Sequence, residues 1–545
     1  MRIRQITLLS LLLSLGVLTS YGQKKGLESI NTHDLKMHMK FLASDELEGR
    51  NTGDPGLLIA ARYLAGQAEQ LGLQEADAAT GYFQYYTIVE KSNDVANSAI
   101  TISEAGKEDL INHDPFYMMS PMEGDLISLE GEVVFAGYGI NDEENNYNDL
   151  DGIDLSDKIV MIMNGAPKNE DGSEYLFGEQ KYTGMRAMQY KMQAIFSQQP
   201  RAVMIVQDPK SGFSSIDEEM PGIANYLGRS RSLKGAEGGR RSLSGPATLV
   251  FINSSVADQL LASSGNNLKD LQIEIDRKLK PNSFALDSVE VRIDLKKEIK
   301  DLIVSNVFGL IEGSDPELKD EVIIYVAHYD HVGTDGEGGV FNGADDNASG
   351  TVALIEIAQA FMKEKKRPAR SIGILWVSAE EIGLYGSKYF ADHPLVAEEQ
   401  IAAVINLDMV GRTRTIEDEQ SDRPGLTIAG GDTVKVIGGL QSEVLMGINV
   451  ETLDEMDLIG NYEYNDLTHS ERYFYRSDHI NFARKDIPVL FYSTGTHRDY
   501  HLVTDEEKLI DYDKFLKMTR FSYKAGYNVA DYKGSIEVDN PMSTW

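Results

Sequence analysis

Side chains that bind divalent metals recur in the second half of this 545-residue chain, each just after a run of apolar residues. The runs lie at 322–326, 372–377, 403–407 and 488–492. Near-continuous apolar runs of this length are typical of strands buried on both faces of a parallel sheet. Because the carboxyl ends of parallel strands meet at one edge of the sheet, the polar residues that follow are predicted to share one crevice. They are His328, Asp330, Glu380, Glu381, Asp408 and His501.

Asp346 joins this set from the loop 343–350, which opens the helix predicted at 351–362. Carboxylates gathered in one crevice repel one another and raise each other's pKa unless a cation balances them. The chain has no cysteine, so any metal is held by His, Asp and Glu. Imidazole and carboxylate ligands without thiolate suit a catalytic zinc site. Two His and three carboxylates suffice for two ions if one carboxylate bridges them.

Each of these signals has an ordinary structural interpretation when it stands alone. His328 and Asp330 also fit a structural pair, Glu380 and Glu381 an exposed surface, and the loop around Asp346 a turn with a helix cap. Four such signals at successive strand ends are poorly explained in that way. The combination favours a metal centre.

The alternation of strands and helices predicts an α/β catalytic domain, a mostly parallel mixed sheet flanked by helices. Two helices are predicted within 33–73, and a closing helix at 508–527. Between 130 and 265 the pattern changes to short apolar strands separated by Gly and Asp, which indicates an inserted, mainly-β domain. We therefore expect a catalytic domain formed by 27–125 and 280–530, with an insert at 130–265.

The net charge of −34 excludes a nucleic-acid-binding surface, which needs a basic stripe. The acidity serves either solubility or attraction of cations and substrate ammonium groups. Arg2, Arg4 and the short apolar run 6–18 predict a secretory signal peptide over 1–22, with cleavage before Gln23. No later run is long enough to span a membrane. Export without cysteine, and so without a lipid-bearing one, fits a secreted or periplasmic bacterial protein.

Several of these segments together resemble one known family. They are 327–331, 343–350, 378–387, 406–411, 477–479 and 500–501. The pattern is similar to the zinc aminopeptidases of the M28 type (clan MH metallopeptidases), a family that also contains glutamate carboxypeptidase, glutaminyl cyclase and the non-enzymatic transferrin receptor. The resemblance implies the zinc exopeptidase fold, which is phosphorylase/hydrolase-like. Segment 130–265 resembles the protease-associated domain often inserted in this family.

The resemblance also implies a role for each residue. Asp346 would bridge two zinc ions, with His328 and Asp408 completing one site, and Glu381 and His501 the other. Its peptide bond to Asn347 would be cis.

Glu380 would be the general base that activates a metal-bridging water, and Asp330 would orient His328 through the second ring nitrogen. The spacing supports this last role independently. His497 competes with His501 as the last ligand; we prefer His501 because Tyr-His followed by Asp505 fits the family pattern.

The expected function is that of a hydrolase, a secreted two-zinc metalloprotease that removes N-terminal residues from peptides. Arginines at 412, 472, 476 and 498 leave a carboxypeptidase or dipeptidase open, because a substrate carboxylate needs such a partner. Two further alternatives are a one-zinc relative of glutaminyl cyclase and a non-catalytic, receptor-like binding module. The sequence does not assign roles to Asp478, His479 and Tyr500, and it does not specify the oligomeric state.

Overall fold

A computed structural model of the protein describes residues 24–104, 106–111, 116–120, 122, 124–178, 182, 184–220, 227–235 and 248–545. The predicted signal peptide, 1–22, lies outside the described residues. Contacts divide the chain into two compact units, residues 1–87 with 303–545 and residues 88–302. No helix in the described ranges combines the length and the apolar character that crossing a bilayer requires.

The α-helices are α1 Lys24–Ser29, α2 Thr32–Leu42, α3 Pro55–Leu71, α4 Gly184–Phe196, α5 Ile216–Glu219, α6 Ser254–Leu261, α7 Leu268–Lys278, α8 Gly350–Lys363, α9 Tyr385–Asp392, α10 Ile416–Glu419, α11 Glu443–Glu455, α12 His479–Ala483 and α13 Tyr512–Asp531. The strands are β1 Phe83–Asn93, β2 Ala99–Glu104, β3 Lys107–Ile111, β4 Tyr117–Met119, β5 Leu126–Phe135, β6 Asn141–Asp142, β7 Tyr147–Asn148, β8 Ile159–Met163, β9 Ala202–Val206, β10 Arg229–Leu233, β11 Leu249–Ile252, β12 Phe284–Ile311, β13 Val322–His328, β14 Gly333–Thr334, β15 Val340–Phe341, β16 Ser371–Val377, β17 Ile401–Leu407, β18 Thr433–Gly438, β19 Ile459–Asn461 and β20 Val489–Ser493.

The first unit is built on a mixed sheet in the order β19-β18-β20-β17-β13-β16-β12. The pairs β20–β17, β17–β13 and β13–β16 are parallel. β18 pairs antiparallel with β20, and β12 pairs antiparallel with β16. Every residue of β13, β16 and β20 is buried. This explains why their sequences are apolar throughout rather than alternating.

Local signals set the ends of the helices around this sheet. The Asn31 side chain accepts the backbone N–H of Asp34 at the start of α2, and Asp511 caps α13 in the same way. α3 begins with Pro55 and ends at Gly72 in the left-handed conformation. The predicted sheet strands, the helix after the first of them and the closing helix are confirmed as β13, β16, β17, β20, α8 and α13, and the α/β fold with them.

The second unit has its own apolar core, formed around strands β5, β8, β9 and β11. β5, β8, β9 and β11 are parallel neighbours, and β4 pairs antiparallel with β11. Residues 290–294 of β12 pair antiparallel with both β2 and β5. The described residues of 88–125 and 280–302 thus fall in this second unit, whereas we expected them in the catalytic domain.

Candidate metal centre

The register of the first unit's sheet brings the metal-type residues to one edge. β13 ends at His328, opposite the last residue of β16. Asp408 directly follows β17, the parallel neighbour on the other side. Asp346 enters from the turn at the start of α8, Glu381 from the loop after β16 and His501 from the loop after β20. The predicted convergence at the carboxyl edge of the sheet is therefore present in the fold.

The carboxylate of Asp346 faces two sets of side chains, one with each oxygen. Its Oδ1 lies 3.4 Å from His328 Nε2, and this nitrogen lies 3.6 Å from Asp408 Oδ1. Its Oδ2 lies 3.0 Å from His501 Nε2, which in turn lies 3.1 Å from Glu381 Oε2. Two groups of nitrogen and oxygen donors thus share one carboxylate.

These residues fit a pair of cations. In each group the donor atoms lie within 4.8 Å of one another. Asp408 Oδ1 is buried and has no hydrogen-bond partner among the described residues, although buried polar atoms are ordinarily paired. Imidazole nitrogen and carboxylate oxygen are the donors that zinc takes in catalytic sites.

The pKa values show an excess of negative charge in this crevice. Burial alone lowers the pKa of His328, but Glu380, Asp408 and hydrogen bonds to the carboxylates raise it well above its ordinary value. Burial likewise opposes protonation of His501, yet Glu381 and Asp346 raise its pKa to about 10. The cluster therefore attracts positive charge strongly, which a bound metal ion would supply in place of protons.

Asp330 holds the site in a way that differs in part from our expectation. His328 Nδ1 lies 3.2 Å from the carbonyl oxygen of Asp330 and 3.7 Å from its carboxylate, so the hydrogen bond from the ring goes to the backbone. The carboxylate instead accepts the backbone N–H groups of Glu380 and Glu381, at 3.2 Å and 3.4 Å. Asp330 thus positions the loop that carries the expected general base.

Three supporting residues had no role in the sequence-based prediction. The buried Arg50 donates to the carbonyl oxygens of Tyr329 and Gly343, at 2.9 Å and 3.1 Å, and so ties together two of the loops that carry the site. Ser477 donates to Asp408 Oδ2 at 2.7 Å. His331 Nδ1 lies 2.8 Å from Glu381 Oε1. The sequence signal for His331 was only a second His three residues after His328.

The loop that holds Asp346 is fixed by its own neighbours. Asp505 Oδ2 accepts the N–H groups of Asp345 and Asp346, at 3.0 Å and 3.2 Å. The peptide bond between Asp346 and Asn347 is cis, as the family resemblance implied. His497 lies 3.4 Å from Asp345 Oδ2 and does not join the Asp346 groups, whereas His501 does.

The remaining three residues occupy different surroundings. The His479 ring is buried with its centroid 4.8 Å from that of Phe491, and burial lowers its pKa to about 3, which fits a packing role. Asp478 is buried, and burial raises its pKa to about 7 while His328 opposes the rise. The Tyr500 ring stacks on His501 at 3.9 Å between centroids.

The sequence is similar to a known protein family. Residues 306–525 match the model of peptidase family M28. Leupeptin-inactivating enzyme 1 of Streptomyces exfoliatus is 30% identical over 178 residues, which are 32% of this chain and 33% of that protein. A vacuolar membrane protease of Meyerozyma guilliermondii is 37% identical over 108 residues, which are 20% of this chain and 10% of that protein. The matched stretches thus span a third or less of these relatives.

The fold has a counterpart among solved structures. An aminopeptidase from Aneurinibacillus sp. strain AM-1 superposes with a TM-score of 0.51 at 17% sequence identity. The superposition covers 95% of this chain and 98% of that one. At this identity the likeness is evidence for the α/β fold alone.

Proposed function

We propose that this protein is a metallopeptidase with two zinc ions per chain and that it acts as an aminopeptidase, because residues 306–525 match the model of peptidase family M28. The observation that carries the proposal is the Asp346 carboxylate, whose two oxygens face two different donor groups. His328 and Asp408 would hold one ion with Asp346, and Glu381 and His501 the other. Bound zinc would polarise the scissile carbonyl and make water acidic enough to be deprotonated near neutral pH.

Glu380 is proposed as the group that moves the proton. One of its carboxylate oxygens lies within 4.8 Å of donor atoms of His328 and Glu381, but Glu380 does not belong to either group that contains Asp346. The residue is half-buried, so substrate can reach it. Its backbone N–H is held by Asp330. A carboxylate in this position takes a proton from water and returns it to the departing amine.

The charges around the site favour cleavage at the amino end of a peptide. An α-ammonium group needs carboxylates near the metals, and Glu380 and the buried Asp478 offer them. A substrate carboxylate needs a free cation. Arg412 does not serve this purpose, because it is buried and donates to Asp499 at 2.8 Å, and Arg476 is paired with Glu471 at 3.6 Å.

The first test is metal content and the effect of one substitution. We expect about two zinc ions per chain, loss of activity on treatment with a chelator and recovery on addition of zinc. Glu380→Gln should keep both ions and lower kcat by about 10²–10⁴-fold, the usual contribution of a general base. Zinc analysis and steady-state kinetics check this. One ion per chain would favour a relative of glutaminyl cyclase, none would favour a binding module, and a fully active Gln variant would refute the assignment of Glu380.

The second test addresses the cleavage end. We expect hydrolysis of an amino-acid anilide and none of an N-blocked dipeptide. The reverse pattern would replace the aminopeptidase with a carboxypeptidase, and cleavage only of free dipeptides would indicate a dipeptidase.

Two further parts of the proposal rest on the sequence. The amino-terminal pattern supports export of the protein by a signal peptide, and amino-terminal sequencing of the secreted protein should begin at Gln23. The parallel strands and apolar core of residues 88–302 support a protease-associated insert domain. The substrates are then extracellular or periplasmic peptides.

A further inference from the structure

By distance, His331 belongs to the donor group of Asp346, Glu381 and His501, but no role has been assigned to it so far. Its side chain is fully buried, and its Nδ1 lies 2.8 Å from Glu381 Oε1. A carboxylate oxygen only accepts hydrogen bonds, so the ring carries its proton on Nδ1 and donates it to Glu381. The Nε2 atom is buried and has no hydrogen-bond partner among the described residues.

The ring is held in place from several sides. A Cβ at position 343 would come within 2.5 Å of its Cγ and Cδ2, so the ring packs directly against the bare backbone of Gly343. Its backbone N–H donates to the carbonyl oxygen of Arg50 at 3.3 Å. The ring of His501 meets it edge-on, at 5.4 Å between centroids and 74° between planes. The hydrogen bond to Glu381 is therefore a fixed feature of the crevice.

We propose that His331 is a positioning residue that makes Glu381 a one-oxygen ligand and thereby sets the affinity of one of the two zinc sites. The inference rests on the proposed two-zinc function. With one lone pair of Oε1 engaged by His331, Oε2 is the oxygen that faces the donor group, 3.1 Å from His501 Nε2. Asp346 lies farther away, at 3.8 Å from His331 Nδ1. The donor acts on the Glu381 group and leaves the His328 group untouched.

The role resembles that of Ser477 on the other side of the centre. Ser477 donates to Asp408 Oδ2 at 2.7 Å and leaves Oδ1 without a hydrogen bond to any described residue. Each of the two donor groups thus contains a carboxylate with one oxygen fixed by a protein donor and the other turned toward the shared Asp346. Donors of this kind typically change metal affinity by about 10–100-fold when they are removed.

Two substitutions separate the N–H donor from the bulk of the ring. His331→Phe keeps a ring of similar size but has no donor. His331→Asn keeps an N–H at the position of Nδ1, because its amide nitrogen is also two bonds from Cβ. His38→Phe serves as a matched control, since His38 is buried in the same unit but lies outside the metal groups.

Zinc affinities of the apoproteins are measured by competition with a chelator, and cobalt spectra of the two sites serve as a second readout. We expect wild type and His38→Phe to bind two ions alike. His331→Phe should weaken one site by about 10–100-fold, change the cobalt spectrum of that site only, and leave the other unchanged. His331→Asn should restore the affinity to within a few-fold of wild type.

Contrary outcomes contradict the inference in separable ways. Unchanged affinities in His331→Phe would refute a role for His331 in metal binding. If His331→Asn binds zinc as weakly as His331→Phe, the donor role is refuted. Equal weakening of both zinc sites, or loss of the folded structure, would also refute it. If wild type itself binds fewer than two zinc ions, the proposed function fails, and that result is obtained without any variant.

Discussion

Replacement of Glu356 by Gln is expected to stabilise the protein, and the gain should grow as the pH rises. Glu356 lies on α8 with an exposed fraction of 1%. Its Oε1 is 3.8 Å from His38 Nε2, and its Oε2 is buried without a hydrogen bond to any described residue. Burial, with a smaller contribution from Asp34, raises the pKa of Glu356 from 4.5 to about 8. Burial also lowers the pKa of His38, so this ring does not supply a compensating charge near neutral pH.

The sign and size of the effect follow from the two pKa values. The folded state binds the proton more tightly than the unfolded state, so stability falls as the pH rises from 4.5 to about 8. At about 1.4 kcal/mol per pKa unit, the full penalty above pH 8 is on the order of 5 kcal/mol. About 3 kcal/mol of it develops between roughly pH 6 and pH 9. Gln has no such penalty, although its buried amide costs about 1–3 kcal/mol at every pH.

Denaturant unfolding of both proteins at constant zinc concentration, at pH 6 and at pH 9, measures this difference. We expect the free energy of unfolding of Glu356→Gln, relative to wild type, to increase by about 3 kcal/mol between the two pH values. The exposed Glu451→Gln on α11 is the control and should show no such increase. A relative stability of Glu356→Gln that stays constant or falls with pH would refute the argument that Glu356 is neutral in the folded state.

Four further substitutions address the scaffold of the site. Arg50→Met should destabilise the fold by about 1–3 kcal/mol for each buried carbonyl that loses its donor; unchanged denaturant unfolding would contradict this. Asp346→Ala should retain neither zinc ion and Asp408→Ala one, as measured by metal analysis, and a single ion retained by both would argue against a shared carboxylate. Ser477→Ala should weaken one zinc site by about tenfold in chelator competition, with an unchanged affinity as the contrary result.

Much of the first unit is readable from the sequence because its central strands are buried on both faces. The runs that form β13, β16, β17 and β20 are apolar throughout. Strands of this kind must be buried on both faces, and a parallel sheet covered by helices is the common fold that buries them. Polar residues at the ends of these runs then converge by topology alone. This is why strand ends and motifs together predicted the groups around Asp346.

The boundaries of the two units were less predictable. Residues 88–125 and 280–302 contain alternating strands that fit the edge of either sheet, and local patterning does not say which edge they join. Pairing of β2 and β5 with β12 decides this, and that pairing joins residues about 150–195 positions apart in the chain.

The sequence by itself determined the fold class, the order of the strands along the chain and the set of residues available to bind metal, because these depend on local apolar pattern and on residue chemistry. Only the tertiary structure decided how single atoms are used. It directs the two oxygens of Asp346 to different partners, pairs the ring of His328 with the backbone carbonyl of Asp330, and places His331 against Glu381. These contacts depend on side-chain orientation over distances of about 3 Å, where a hydrogen bond is made or lost, and no spacing along the chain specifies them.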